Sequence, residues 1–156
     1  MEQLTMTGQE RREAAATGTV RGSTGYDMAS GDIARARAFV REFLDAAQSQ
    51  HGLRVSARAV ETAQLVVSEL ATNVCKYAPG PCLLDLETDG DLLDIVMWDS
   101  GPVLPTASSA DPTRIGQHGL ELVLMVCQSF AIHREPVGKR IRVQVLLRDD
   151  LRASTA

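Results

Sequence analysis

Ser68-Glu69-Leu70-Ala71-Thr72-Asn73-Val74-Cys75-Lys76-Tyr77-Ala78 is the stretch on which the reading of the fold turns. Glu69, Asn73 and Lys76 are spaced i, i+4 and i+7, so on a helix they fall within roughly 60° of one another. Val60, Ala63, Val67, Leu70 and Val74 occupy a different sector. Such a helix buries one side and presents a carboxylate, an amide and an amine on another. A carboxylate takes up protons, and a neutral amide oxygen is a hard ligand suited to Mg²⁺. Side by side they are parts for chemistry on a phosphate; read alone, they are equally a solvated polar face.

The helix is expected to run from Val55 to Tyr77, where Ala78-Pro79-Gly80-Pro81 stops it, because proline cannot continue a helix and glycine tolerates the reversal. Two strands follow, Cys82 to Thr88 and Leu92 to Asp99, with Asp89-Gly90-Asp91 as the hairpin turn between them. Ser100 to His118 holds three prolines and two glycines with little to bury, the composition of a lid or binding loop. Gly119 to Phe130 reads as an apolar helix with Leu120, Val123, Leu124 and Cys127 on one stripe. A closing hairpin, 131–136 and 139–148, turns at Val137-Gly138. In it Ile141, Val143, Val145 and Leu147 share one face and Arg140, Arg142 and Gln144 the other.

Upstream, Ile33, Ala36, Phe39, Val40 and Phe43 repeat at helical spacing, with Ser30 or Asp32 as the N-cap and an end near Gly52. A short strand is expected between Val20 and Met28. Residues 1–24 lack apolar periodicity and read as a disordered arm, leaving 25–150 as the folded domain. The layout is α+β: a two-layer sandwich of an antiparallel or mixed sheet with helices on one face.

The chain has 156 residues, 44% hydrophobic and 23% charged, which suits one globular domain with a real core. A net charge of −4 disfavours nucleic-acid binding through a basic surface. No apolar run reaches the roughly 18 residues that span a bilayer, and no signal peptide opens the chain. Cys75, Cys82 and Cys127 include no CxxC pair and read as reduced thiols of a cytoplasmic protein, placed structurally rather than around zinc.

Two further features lie near the central helix in sequence. Trp98-Asp99-Ser100-Gly101-Pro102 puts a carboxylate where an apolar strand ends, followed by glycine where backbone must approach something closely. A carboxylate so placed accepts a hydrogen bond from the exocyclic amine of adenine, although Asp-x-Gly also spells an ordinary turn. Gly116-Gln117-His118-Gly119 precedes the expected helix, whose free N–H groups and positive dipole end suit an anion. It is not a Walker A loop, since Gly-Lys-Ser/Thr is missing.

In this order the pieces resemble the GHKL superfamily of ATP-binding domains, the Bergerat fold shared by DNA gyrase, the heat-shock chaperone ATPase and histidine kinases. Within it the likeness is strongest to bacterial anti-sigma-factor serine/threonine kinases. Ser68 to Asn73 is similar to the N box, Trp98 to Pro102 to the first glycine box, Gly116 to Leu120 to the second, and Gly138-Lys139 to the closing turn. The resemblance covers about residues 30 to 148. It implies that Asn73 holds Mg²⁺ against the phosphates of ATP, that Asp99 binds the adenine amino group, and that Gly101 permits close approach. It also implies Glu69 as general base, Gly116, His118 and Gly119 as the phosphate lid, and Lys76 near the phosphates. Its implied partners are a sigma factor and an anti-anti-sigma antagonist phosphorylated on serine, around a homodimer to which Phe39 and Phe43 contribute unless they simply fill the core.

Two departures bear on nucleotide affinity. Gln117 replaces the first glycine of the family's Gly-x-Gly, and the threonine of the last strand is missing, with Arg140 or Ile141 in its place. The rival readings are a non-catalytic ATP-binding module that grips a partner, and an ATPase or histidine-kinase catalytic domain. The last is disfavoured because no phosphoacceptor helix is expected before the fold.

Overall fold

Two long helices and five strands are laid down in an order that leaves one face of a sheet for the helices to cover. A computed structural model describes residues 19–29, 31–101 and 115–149, the side chains of 115–120 excepted. The elements are β1 (Val20–Tyr26), α1 (Asp32–His51), α2 (Ala57–Tyr77), β2 (Cys82–Thr88), β3 (Leu92–Asp99), α3 (Ile115–Val126), β4 (Ser129–Arg134) and β5 (Lys139–Leu146). Of the arm expected over residues 1–24, residues 1–18 lie outside the described residues, and those from Val20 onward belong to β1.

The sheet has the order β1-β2-β3-β5-β4, and every neighbouring pair is antiparallel. Strict alternation along the central strands sends Leu84, Leu86, Leu93, Ile95, Met97, Ile141 and Val143 to one face, all but solvent-free. The other face is polar and cross-linked between strands. Arg142 reaches Asp94 through both Nε (3.2 Å) and an Nη (3.1 Å), Trp98 Nε1 donates to Asp85 at 2.9 Å, and the Arg140 guanidinium lies 5.3 Å from the Trp98 ring centroid. Among the described residues helices therefore cover one side only, as the α+β reading expects.

α1 starts from Gly31 in a left-handed conformation with no side-chain cap. Asp32, expected as the cap, is instead the first helical residue; its buried carboxylate accepts from the Ala29 N–H at 2.9 Å. Ser30 lies outside the described residues. The helix ends at Gly52, again left-handed, where glycine carries no Cβ penalty. α2 begins at Ala57, two residues after the expected start near Val55, and is capped by Ser56, whose hydroxyl accepts from Ala59 N–H at 3.0 Å.

The core lies between α1, α2 and the sheet. α2 is buried more widely than its expected stripe: Ala59, Val66 and Ala71 join Ala63, Val67, Leu70 and Val74, while Val60 is half-buried. The reason is position, because α2 packs against α1 on one flank, α3 on the other and the sheet beneath. Phe43 is in the core at 9% exposure and Phe39 packs against it half-buried, which favours the core-filling reading of the two rings over a free apolar face. Gly22 of β1 lies under them; a Cβ there would meet Phe43 Cδ1 at 3.1 Å.

The third helix departs from expectation. It spans Ile115–Val126 and not 119–130, so Phe130 belongs to β4. Of the expected stripe, Val123 is buried, Leu124 is 54% exposed and Cys127 follows the helix half-buried. Leu122, Met125 and Val126 are exposed as well. Among the described residues this short helix packs chiefly on α2 and buries a narrow line of side chains, and a stripe drawn from hydrophobicity alone is too wide for it. Of the expected lid, 102–114 lies outside the described residues.

The packing makes Leu70→Ala costly. It should lower unfolding free energy by about 2–5 kcal/mol in a urea titration, whereas Glu61→Ala, exposed on the same helix, should change it by less than about 0.5 kcal/mol.

Candidate nucleotide site

The last two turns of α2 carry Glu69, Asn73 and Lys76. Glu69 is half-buried, Asn73 is enclosed at 4% exposure and Lys76 is open to solvent. The three therefore form a gradient from enclosed amide to exposed amine, not a uniformly solvated face.

β3 delivers Asp99 to this end of α2. In register, Asp99 lies opposite Cys82 of β2 and Lys139 of β5. Two residues on, Gly101 fixes how closely strand and helix meet. A Cβ at Gly101 would lie 2.3 Å from the Ala78 Cβ and 3.1 Å from its Cα. Only glycine fits there, so the end of β3 is packed directly on the residue that caps α2.

The Asp99 side chain is wholly buried, with one oxygen hydrogen-bonded and the other beside a charge. Its Oδ1 accepts the Gly101 N–H at 2.9 Å, and its Oδ2 stands 2.7 Å from Lys139 Nζ, itself 3% exposed. The second contact is close but lacks the alignment of a hydrogen bond, so it acts as a charge pair. Gly138, at φ +84°, seats the β4–β5 turn under the same residue: a Cβ there would fall 1.7 Å from the Asp99 carbonyl oxygen. Glycine is required at Gly138 by conformation and by space.

Lys139 is the residue that the sequence reading passed over as a site member. The place of the missing threonine was assigned to Arg140 or Ile141, yet Arg140 faces the outer side over Trp98 and Ile141 is core. The signal was in the alternation of β5. Lys139 shares the phase of Ile141, Val143 and Val145, so its ammonium had to point inward and needed a buried carboxylate.

Gly116, His118 and Gly119, expected ahead of a helix, occupy the first residues of α3, which begins at Ile115 and packs on α2. The backbone thus places them on the element beside the Glu69–Asn73 helix. The donor set fits a nucleotide with its magnesium. An amide oxygen at Asn73 is a neutral hard ligand, and Mg²⁺ held by one protein oxygen and phosphates needs no cluster of acidic residues, of which there is none among the described residues. With Glu69 one turn before Asn73, a carboxylate and an amide share one helix edge.

The model of the histidine kinase-like ATPase domain family matches residues 29–145. The chain belongs to this family. Its fold is the GHKL ATPase fold, its class of function is ATP binding of the kinase-like kind, and its match embraces both strand ends and all three helices. No curated protein matches the chain in sequence. Among the described residues no helix of this histidine kinase-like ATPase domain is long and apolar enough to cross a membrane.

All three cysteines are free thiols, Cys82 buried and the others half-buried. Burial, and next the Asp99 carboxylate across the strand pair, push the Cys82 thiol from its ordinary 9.0 up to about 11. A raised thiol pKa favours the neutral form in the folded state. The stability this contributes is whole below pH 9 and is lost as pH rises towards 11, where the unfolded thiol ionises first. Denaturant titrations across that window should show wild type losing stability relative to Cys82→Ala; a pH-independent difference would place Cys82 in a more open setting.

Proposed function

We propose that this chain is an ATP-dependent serine/threonine protein kinase and anti-sigma factor that phosphorylates an anti-anti-sigma antagonist protein on serine. The observation that supports it best is the pairing of Glu69 with Asn73 at the end of α2 packed, through Ala78 and Gly101, on the strand end of Asp99. The partners rest on the resemblance of Ser68–Asn73, Trp98–Pro102 and Gly116–Leu120 to anti-sigma-factor kinases. A cytoplasmic setting and a homodimer belong to the same reading.

In this mechanism the phosphates lie along the Asn73 edge of α2 and the base lies towards Asp99. The Asn73 amide oxygen would hold Mg²⁺, which would supply charge neutralisation at the phosphates. Glu69 takes the proton of the antagonist's serine hydroxyl, whose oxygen forms the new bond to the γ-phosphorus. The bond from that phosphorus to the β–γ bridging oxygen breaks, and ADP leaves with its electron pair. Positioning and charge neutralisation account for most of the barrier lowering, as is usual for phosphoryl transfer. Lys76, exposed at the end of the same helix, adds a cation on the phosphate side.

One observation favours a second reading, a binding module that grips its partner without transfer: the Asp99 carboxylate is fully enclosed against Lys139.

The general base should act in the transition state far more than in ground-state binding. Glu69→Ala, assayed with Mg²⁺, ATP and co-purified antagonist, should lower serine phosphorylation by about 10²- to 10⁴-fold while ATP affinity stays within about threefold. Wild-type protein that transfers no phosphate to a partner that it binds would leave the binding module.

A further inference from the structure

The carboxylate expected to read the base already has a cation against it. Lys139 Nζ sits 2.7 Å from Asp99 Oδ2, the Gly101 N–H takes Oδ1 at 2.9 Å, and the two side chains are 3% and 0% exposed. An exocyclic amine approaching Asp99 is a weakly positive donor that seeks the same oxygen at nearly the same distance. The ammonium carries a full charge, is tethered by its own chain, and leaves no open carboxylate surface. A neutral amine therefore loses the competition for Oδ2.

We infer that Lys139 is a specificity-determining residue that takes the place of the base's exocyclic amine on Asp99, so that the domain takes a purine nucleotide without reading the 6-amino group. The inference rests on the reading of Asp99 as the base end of an ATP site. Its geometric basis is the register of β5, which sets Lys139 directly opposite Asp99, and the Gly138 turn, which seats that strand end against the Asp99 carbonyl. The outward neighbours, Arg140 and Arg142, are turned to the far face of the sheet and held by Glu135 and Asp94, so neither replaces Lys139 at this point.

The test compares Mg²⁺-ATP with Mg²⁺-purine riboside triphosphate, which lacks only the 6-amino group, by calorimetry on the full chain. Wild type should bind the two within about threefold. Lys139→Thr, which frees Oδ2, should bind ATP more tightly than wild type and prefer it to the deaminated analogue by about tenfold or more, the value of one hydrogen bond to a charged acceptor. Thermal melts establish that the variant is folded; where it is not, the wild-type ratio decides alone. A wild type that already prefers ATP by tenfold overturns the role of Lys139 and leaves the ATP reading intact. A Lys139→Thr that folds and shows no gain in preference overturns it equally. If neither protein binds either nucleotide, the ATP reading falls and the inference with it.

Discussion

Asp99 and Lys139 form a buried ion pair at the point where three strands, one turn and the end of the central helix converge. Removing two charges from water is costly, and the pair is tolerated because each neutralises the other's charge and Gly101 contributes an N–H. That requirement fixes the local architecture. β5 must stay in register with β3, Gly138 must lie against the Asp99 carbonyl, and Gly101 must lie against Ala78, or a charge would be left unpaired in the interior. The end of the sheet and the end of α2 are thus set against each other by the same few atoms.

This constraint gives the site its shape. α2 is held from below by the sheet and on its flanks by α1 and α3, and its helical geometry sets Glu69 and Asn73 one turn apart. The Asp99 end is closely packed as well, and within the described residues the site joins two packed element ends. The polar outer face of the sheet, with Arg142 on Asp94 and Arg140 over Trp98, keeps the helices to one side and leaves the chemistry to the edge where helix and strands end together.

Much of this was legible in the amino-acid order, for identifiable reasons. Pro79 and Pro81 ended α2 because proline cannot extend a helix, Asp89-Gly90-Asp91 marked its hairpin, and period-two alternation placed Leu84, Leu86, Ile141 and Val143 inward. Glu69, Asn73 and Asp99 were picked out by spacing and by their place at element ends, and the structure brings the elements that carry them together. Other features were hidden because they depend on tertiary neighbours. The buried width of α2 needed α1 and α3 to be in place, and the narrow buried line of α3 among the described residues needed its packing on α2. The start of α3 at Ile115 runs through two glycines, which local propensity reads as loop. Lys139 was missed because a lysine after a turn reads as solvent-facing, although the phase of β5 had already turned it inward.

The most direct test of the central claim, that this edge is an ATP site, is hydrogen–deuterium exchange with and without Mg²⁺-ATP. The account predicts slowed exchange confined to the end of α2 around Asn73, the segment from Asp99 to Gly101, and the first turns of α3. Unchanged exchange at saturating nucleotide would contradict it. So would protection centred instead on the cavity at the opposite end of α2, lined by Arg58, Thr62, Met125 and Gln128.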